Sequence, residues 1–187
     1  MISRRLGGVA VRLVLLSIGL FAPPSSGADT DPLLERRVKA AFLYQFIPYV
    51  EWPPASLGPP DAPIVIAVVG SDETVAELTA VIGGRTTNNR PVVVRRWRES
   101  DLAGGPHIVY VRRQESARLP AIARAAQQSG TLVVSETEGA LGQGSMINFQ
   151  IVEGRVRFDV ALTSVETAGL RISSRLLAVA RDVRPQP

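Results

Sequence analysis

The sequence predicts an α/β fold: a three-layer sandwich whose mainly parallel sheet is followed by a C-terminal antiparallel hairpin and helix. Three observations predict it. Short β-branched runs, Ile64–Val69 first among them, lack the alternation of a half-wet strand and read as strands buried on both faces. These runs alternate with helix-length segments, the pattern of parallel strands joined by right-handed crossovers. Beyond residue 145 the pattern changes to two strands flanking Glu153-Gly154, a pair suited to a tight hairpin.

Residues 1–28 are expected to lie outside the fold. Arg4, Arg5 and Arg12 have no acidic counterpart, Leu13–Phe21 is apolar, and Ser26-Gly27-Ala28 offers small residues for cleavage. That is the layout of a secretory signal peptide. The apolar run is shorter than the roughly 20 residues that span a bilayer; a retained N-terminal anchor is the alternative. Removing the three arginines leaves 18 basic residues against 17 acidic ones, so charge gives no reason to expect a nucleic-acid partner. The chain has no cysteine, so its stability must come from a core and not from disulfides. Residues 29–187 are expected to form one domain, long enough to bury about 70% of the unfolded chain's surface.

Within it, Asp31 is placed to cap a helix, with Pro32 at its first position and Glu35 in its first turn. Ala40–Trp52 is apolar except for Gln45, Pro48 and Glu51, so this helix should be covered on most sides. Pro48 should stop it near Phe46 or Ile47. Two readings stay open: a central core helix, or a segment whose end, Phe46 to Trp52, leaves apolar surface for a partner.

After the loop Ala55–Pro63 come the strand Ile64–Val69 and a helix from about Glu73 to Ile82, capped by Ser71 or Asp72 and closed by Gly83-Gly84. Arg85–Arg90 reads as a polar loop, Pro91–Arg95 as a strand, Trp97–Gly105 as irregular or a short helix, and His107–Val111 as a strand. Glu115–Gln128 reads as a helix whose first turn Pro120 disturbs. Gly130 caps it and Thr131–Ser135 is the next strand. The hairpin pairs Met146–Val152 with Arg155–Ala161. Thr163-Ser164-Val165-Glu166 fits a capping box, Gly169 closes that helix, and Ser173 or Ser174 starts a last one through about Arg181, with Leu176, Leu177 and Val179 inward.

Two stretches carry a family resemblance. Lys39–Pro53 (KAAFLYQFIPYVEWP) and Gly144–Leu177, with GSMINF, GRVRFDV and AGLRISSRLL in order, resemble the opening and closing signatures of the periplasmic YfiR-like family; Arg90–Arg95 lies between as expected. The resemblance implies a periplasmic, non-enzymatic regulator. Such a protein binds the sensor domain of an inner-membrane diguanylate cyclase or kinase, most often repressing a cyclase, so that cyclic-di-GMP and biofilm formation respond. An outer-membrane lipoprotein is a further implied partner, and a homodimer is left open. Disulfide-based redox control, known in the family, has no counterpart in a chain without cysteine.

The residues themselves offer little chemistry. His107 is the only histidine, without neighbouring ligands for a metal or a serine elbow to serve. Gly142-Gln143-Gly144 precedes a strand, whereas a phosphate-cradling loop precedes a helix. Glu136 and Glu138 read as a solvated loop. The expectation is therefore no catalytic residue, no metal and no cofactor. Phe46, Tyr49 and Trp52 are the candidate partner anchors. The carboxyl ends of the parallel strands supply a candidate anion or ligand rim: Ser71, Asp72, Arg95, Arg112, Arg113, Ser135 and Glu136. A small-ligand binding protein feeding a sensor kinase or outer-membrane receptor is the alternative function, and an unrecognised hydrolase built on His107 the third.

Overall fold

The computed structural model describes residues 31–98 and 105–185. The expected signal peptide and part of the Trp97–Gly105 segment lie outside the described residues.

Helix α1 spans Pro32–Phe46, with Asp31 accepting a hydrogen bond from the Leu33 N–H at 2.9 Å. Pro48 stops it as expected: Ile47–Tyr49 tighten into a 3-10 turn and the chain leaves as the two-residue strand β1, Val50–Glu51. A single-turn helix α2, Pro54–Leu57, leads to strand β2, Ile64–Val69. Helix α3, Asp72–Ile82, is capped by Ser71. The expected polar loop at Arg85–Arg90 is instead a hairpin. Thr86–Thr87 forms β3 and pairs antiparallel with β4, Arg90–Arg96, across Asn88 and Asn89, both at positive φ. Asparagine tolerates that left-handed backbone, which a two-residue hairpin turn requires.

Strand β5, Ile108–Val111, is followed by a 3-10 stretch, Arg113–Arg118, and then helix α4, Leu119–Ser129. Pro120 sits in the first turn of α4, where its missing N–H costs nothing, so the irregular part lies before it. Gly130 caps α4 with left-handed backbone, and β6 is Leu132–Ser135. The hairpin strands are β7, Ile147–Val152, and β8, Arg155–Ala161, turning through Glu153 and Gly154 at positive φ.

The last segment departs from expectation at three points. Helix α5, Leu162–Thr167, starts at Ala161 with no side-chain cap, so the Thr163–Glu166 box is not at its start. After β9, Arg171–Ile172, helix α6 covers only Ser174–Leu177, and Val179 is exposed. Asp182–Arg184 then forms β10, a strand the sequence reading missed.

The main sheet has eight strands in the order β10-β8-β7-β6-β5-β2-β4-β3. From Ile64 to Ser135 the strands β4, β2, β5 and β6 run parallel, as predicted. The C-terminal hairpin joins the same sheet: β7 is parallel to β6 and antiparallel to β8, and β10 is parallel to β8. A second sheet pairs β1 with β9, Val50 opposite Ile172. The chain runs outward from β2 to β4 and then returns to β5 and β6. Right-handed crossovers therefore place α3 and α4 on opposite faces, which gives three layers. On the α3 side α1 packs on β7 and β8 through Phe42, Phe46, Phe149 and Phe158, with ring centroids 5.1–6.0 Å apart.

Candidate functional site

Lys39, Tyr110, Arg112 and Glu136 meet at the carboxyl end of the sheet. The register brings the ends of β5 and β6 side by side, and α1 lays Lys39 across them. Glu136 is buried, and both its carboxylate oxygens are taken. Oε2 accepts from Lys39 Nζ at 2.5 Å and from the Tyr110 hydroxyl at 2.7 Å. Oε1 accepts from Arg112 Nε at 2.7 Å and from the Arg113 N–H at 3.1 Å. Lys39 also pairs with Glu35 one turn earlier on α1.

The electrostatics follow from that geometry. Burial opposes ionisation of Glu136, but the Lys39 ammonium, the Arg112 guanidinium and the Tyr110 hydroxyl override it and hold its pKa at about 2. Burial, and then the adjacent Glu136 carboxylate, push Tyr110 well above its usual range. Arg112 is raised: burial opposes its charge, and Glu136 outweighs burial. At neutral pH Glu136 stays ionised, and its bonds to Lys39, Tyr110 and Arg112 lock α1 to the sheet.

The candidate rim is thus divided. Ser71 is used as the cap of α3, and Asp72 pairs in solvent with Arg96 at 2.8 Å. Arg95 is half-buried near the end of β4, opposite Ala67 of β2. Ser135 is fully buried and its hydroxyl accepts from the Thr137 N–H at 3.4 Å. Glu136, read from sequence as solvated, is the buried centre. Arg112 also lines the crevice between β2 and β5, where the strand order reverses. Its Nη1 donates to Thr74 Oγ1 at 3.2 Å, and its Cγ would lie 3.1 Å from a Cβ at Gly70. Where an open sheet ordinarily takes a ligand, Arg112 shares a cleft of about 320 Å³ with Gly70, Ser71, Thr74 and Glu77. Arg113 faces solvent on the other side, and its guanidinium donates to the Glu136 carbonyl oxygen at 3.3 Å.

The candidate anchors divide as well. Phe46 is fully buried, a member of the aromatic cluster. Trp52 is 9% exposed; its indole N–H donates to the His107 carbonyl oxygen at 3.2 Å and its ring meets the imidazole edge-on. Neither offers surface to a partner, which corrects the expectation for both. The apolar run is long because this segment is covered by sheet and α3 together. Of the three, Tyr49 alone is half-buried, with Pro48 and Glu51 exposed nearby.

His107 lies at the opposite end of the sheet. Its Nδ1 accepts from the Val65 N–H at 3.1 Å, so the neutral ring carries its proton on Nε2. Burial and nearby Arg90 lower its pKa. It borders a cleft of about 680 Å³ with Ser56, Gln128 and Ser129, and among the described residues no carboxylate lines that cleft. The hydrolase reading required acids beside this histidine, and among the described residues the cleft brings none to it. Among the described residues, no three His, Cys, Asp or Glu side chains are grouped to hold a metal.

The profile of the YfiR/HmsC-like family matches residues 36–181, from the middle of α1 to the start of β10. This chain belongs to the YfiR/HmsC-like family. The two segments that carry the resemblance, Lys39–Pro53 and Gly144–Leu177, lie within that match and contain the end of α1 and the β7–β8 hairpin, which pack on each other. No curated protein matches the chain. Among solved structures it is similar to a conserved domain protein from Vibrio cholerae O1 biovar El Tor, with a TM-score of 0.52 at 12% identity. That match covers 80% of this YfiR/HmsC-like chain and 60% of the Vibrio chain, and at this identity it speaks for the fold alone.

Proposed function

We propose that this protein is an exported, non-enzymatic regulator that binds the periplasmic sensor domain of an inner-membrane diguanylate cyclase and represses it. The observation that carries the reading is the family match over residues 36–181. Three features support it. The first 28 residues have the layout of a signal peptide, and among the described residues no helix is long and apolar enough to cross a membrane. The polar cluster at the sheet end is saturated by its own members, which suits a rigid scaffold. The turn after α1 presents Tyr49, a half-buried aromatic packed against the core, with Pro48 and Glu51 exposed nearby.

Repression by binding has a definite physical form. The regulator must bind the sensor's inactive state more tightly than its active one, and the ratio of the two affinities sets the shift. Tyr49 is the proposed anchor of that contact. In titration calorimetry against the purified sensor domain, Tyr49→Ala should weaken binding at least about tenfold, the loss of a hot-spot aromatic. Its unfolding midpoint should stay near that of the parent. Saturable binding untouched by Tyr49→Ala would move the contact elsewhere; no binding to any inner-membrane sensor domain encoded beside the gene would remove the reading.

A further inference from the structure

The other face of the hairpin carries a cleft that the Glu136 cluster does not fill. Phe149 and Phe158 point toward α1, so their neighbours Asn148 and Asp159, paired across β7 and β8, point to the opposite face. There the 3-10 turn Ala140–Gln143 forms one wall of an open cleft of about 620 Å³. Asn148, Asp159, Thr137, Arg113, Arg181 and Arg184 line it.

Two polar atoms in this cleft are left unmatched. Asn148 is 1% exposed, yet its Oδ1 is buried without a hydrogen-bond partner; the Thr137 hydroxyl is buried in the same state. Folded proteins pair nearly all such groups, so two in one cleft mark bonds that the protein leaves for something else. The charges point the same way. Arg181 grips buried Asp159 with Nε at 2.7 Å and with Nη2, and Arg184 pairs with Asp182 at 2.6 Å. Glu136 is neutralised from behind by Lys39 and Arg112. Among the described residues, the Arg113 guanidinium donates to the Glu136 carbonyl oxygen, and Glu138 is the further carboxylate that lines the cleft with it. A ligand that meets Arg113 and the Asn148 acceptor together needs an oxyanion and a hydroxyl close to it.

We propose that this cleft binds a small hydroxylated oxyanion, its carboxylate or phosphate held by Arg113 and its hydroxyl donating to Asn148 Oδ1. The inference goes beyond the regulator reading and does not depend on the identity of the protein partner. Two matched pairs test it by titration calorimetry on the purified full chain: L-malate against succinate, and glycerol 3-phosphate against inorganic phosphate. In at least one pair the hydroxylated member should bind about tenfold more tightly or better. The pair that responds identifies the anion as carboxylate or phosphate. Arg113→Gln, an exposed substitution, should weaken that binding about tenfold. Asn148→Leu should erase the preference for the hydroxylated member. It should also raise the ligand-free melting temperature, because a buried acceptor without a partner is removed. No binding in either pair, equal binding within both pairs, or binding unchanged in Arg113→Gln would overturn the proposal. If Asn148→Leu fails to fold, the Arg113→Gln comparison decides alone.

Discussion

Lys39 is the only lysine of the chain, and its ammonium is buried between Glu35 and Glu136. Desolvating such a charge is tolerated only because both neighbours are carboxylates. Removing one member of a buried pair is therefore costlier than the pair is stabilising. Lys39→Met should lower the unfolding free energy by about 3 kcal/mol in urea titration, since it leaves Glu136 buried with Arg112, Tyr110 and the Arg113 N–H but without its ammonium partner. The same carboxylate sets an acid limit. Its folded pKa of about 2 lies below the ordinary 4.5, so its contribution is complete above pH 4.5 and is lost as pH falls toward 2. Across that window the wild type should lose about 3 kcal/mol through this group. In Glu136→Gln the stability at neutral pH should be lower and the slope between pH 4.5 and 2 correspondingly flatter; equal slopes would mean the carboxylate is not held as described. Little of this site was visible in the sequence. Its members come from residues 39, 110–113 and 136, and nothing local links them. The one available signal was a lone lysine inside an apolar helix, a charge that must be paired if the helix is buried.

At the scale of elements, α1 shows what an apolar run can and cannot reveal. Its cap, its proline stop and its burial follow from local chemistry and were legible. Which side chains reach the surface depends on what lies above and below, and α3 and the hairpin strands together leave Phe46 none. Phe46→Ala should accordingly cost about 3–5 kcal/mol, the loss of a fully buried aromatic, with a matching fall in the urea midpoint. A near-neutral effect would return Phe46 to the surface as a partner anchor. The hairpins divide by the same logic. Glu153-Gly154 sits between long strands of obvious pattern, whereas β3 is two residues long and depends on Asn88-Asn89 and on pairing with β4. Strands β1, β9 and β10 are two or three residues long; β1 and β9 pair with each other and β10 pairs with β8. A strand of two or three residues carries no period of its own to read.

For the whole molecule, the sheet is continuous from β3 to β10, with parallel strands in the middle and the hairpin appended through β6 and β7. The parallel middle was legible because strands buried on both faces must be β-branched throughout. The joining of the hairpin to that sheet was not, since it rests on the two register pairs Val134–Ile147 and Ser135–Asn148. One consequence of the joining is functional. It brings the carboxyl ends of β5 and β6 beside the uncovered face of β7 and β8, so Arg113 and Asn148 line the same cleft. The account as a whole rests on this fold working outside the inner membrane by holding a signalling partner in its inactive state. Cellular cyclic-di-GMP in a deletion strain tests that most directly. The level should rise on deletion and return on expression of residues 1–187, but not of residues 29–187 without the leader. An unchanged level, or full rescue by the leaderless chain, would contradict the account.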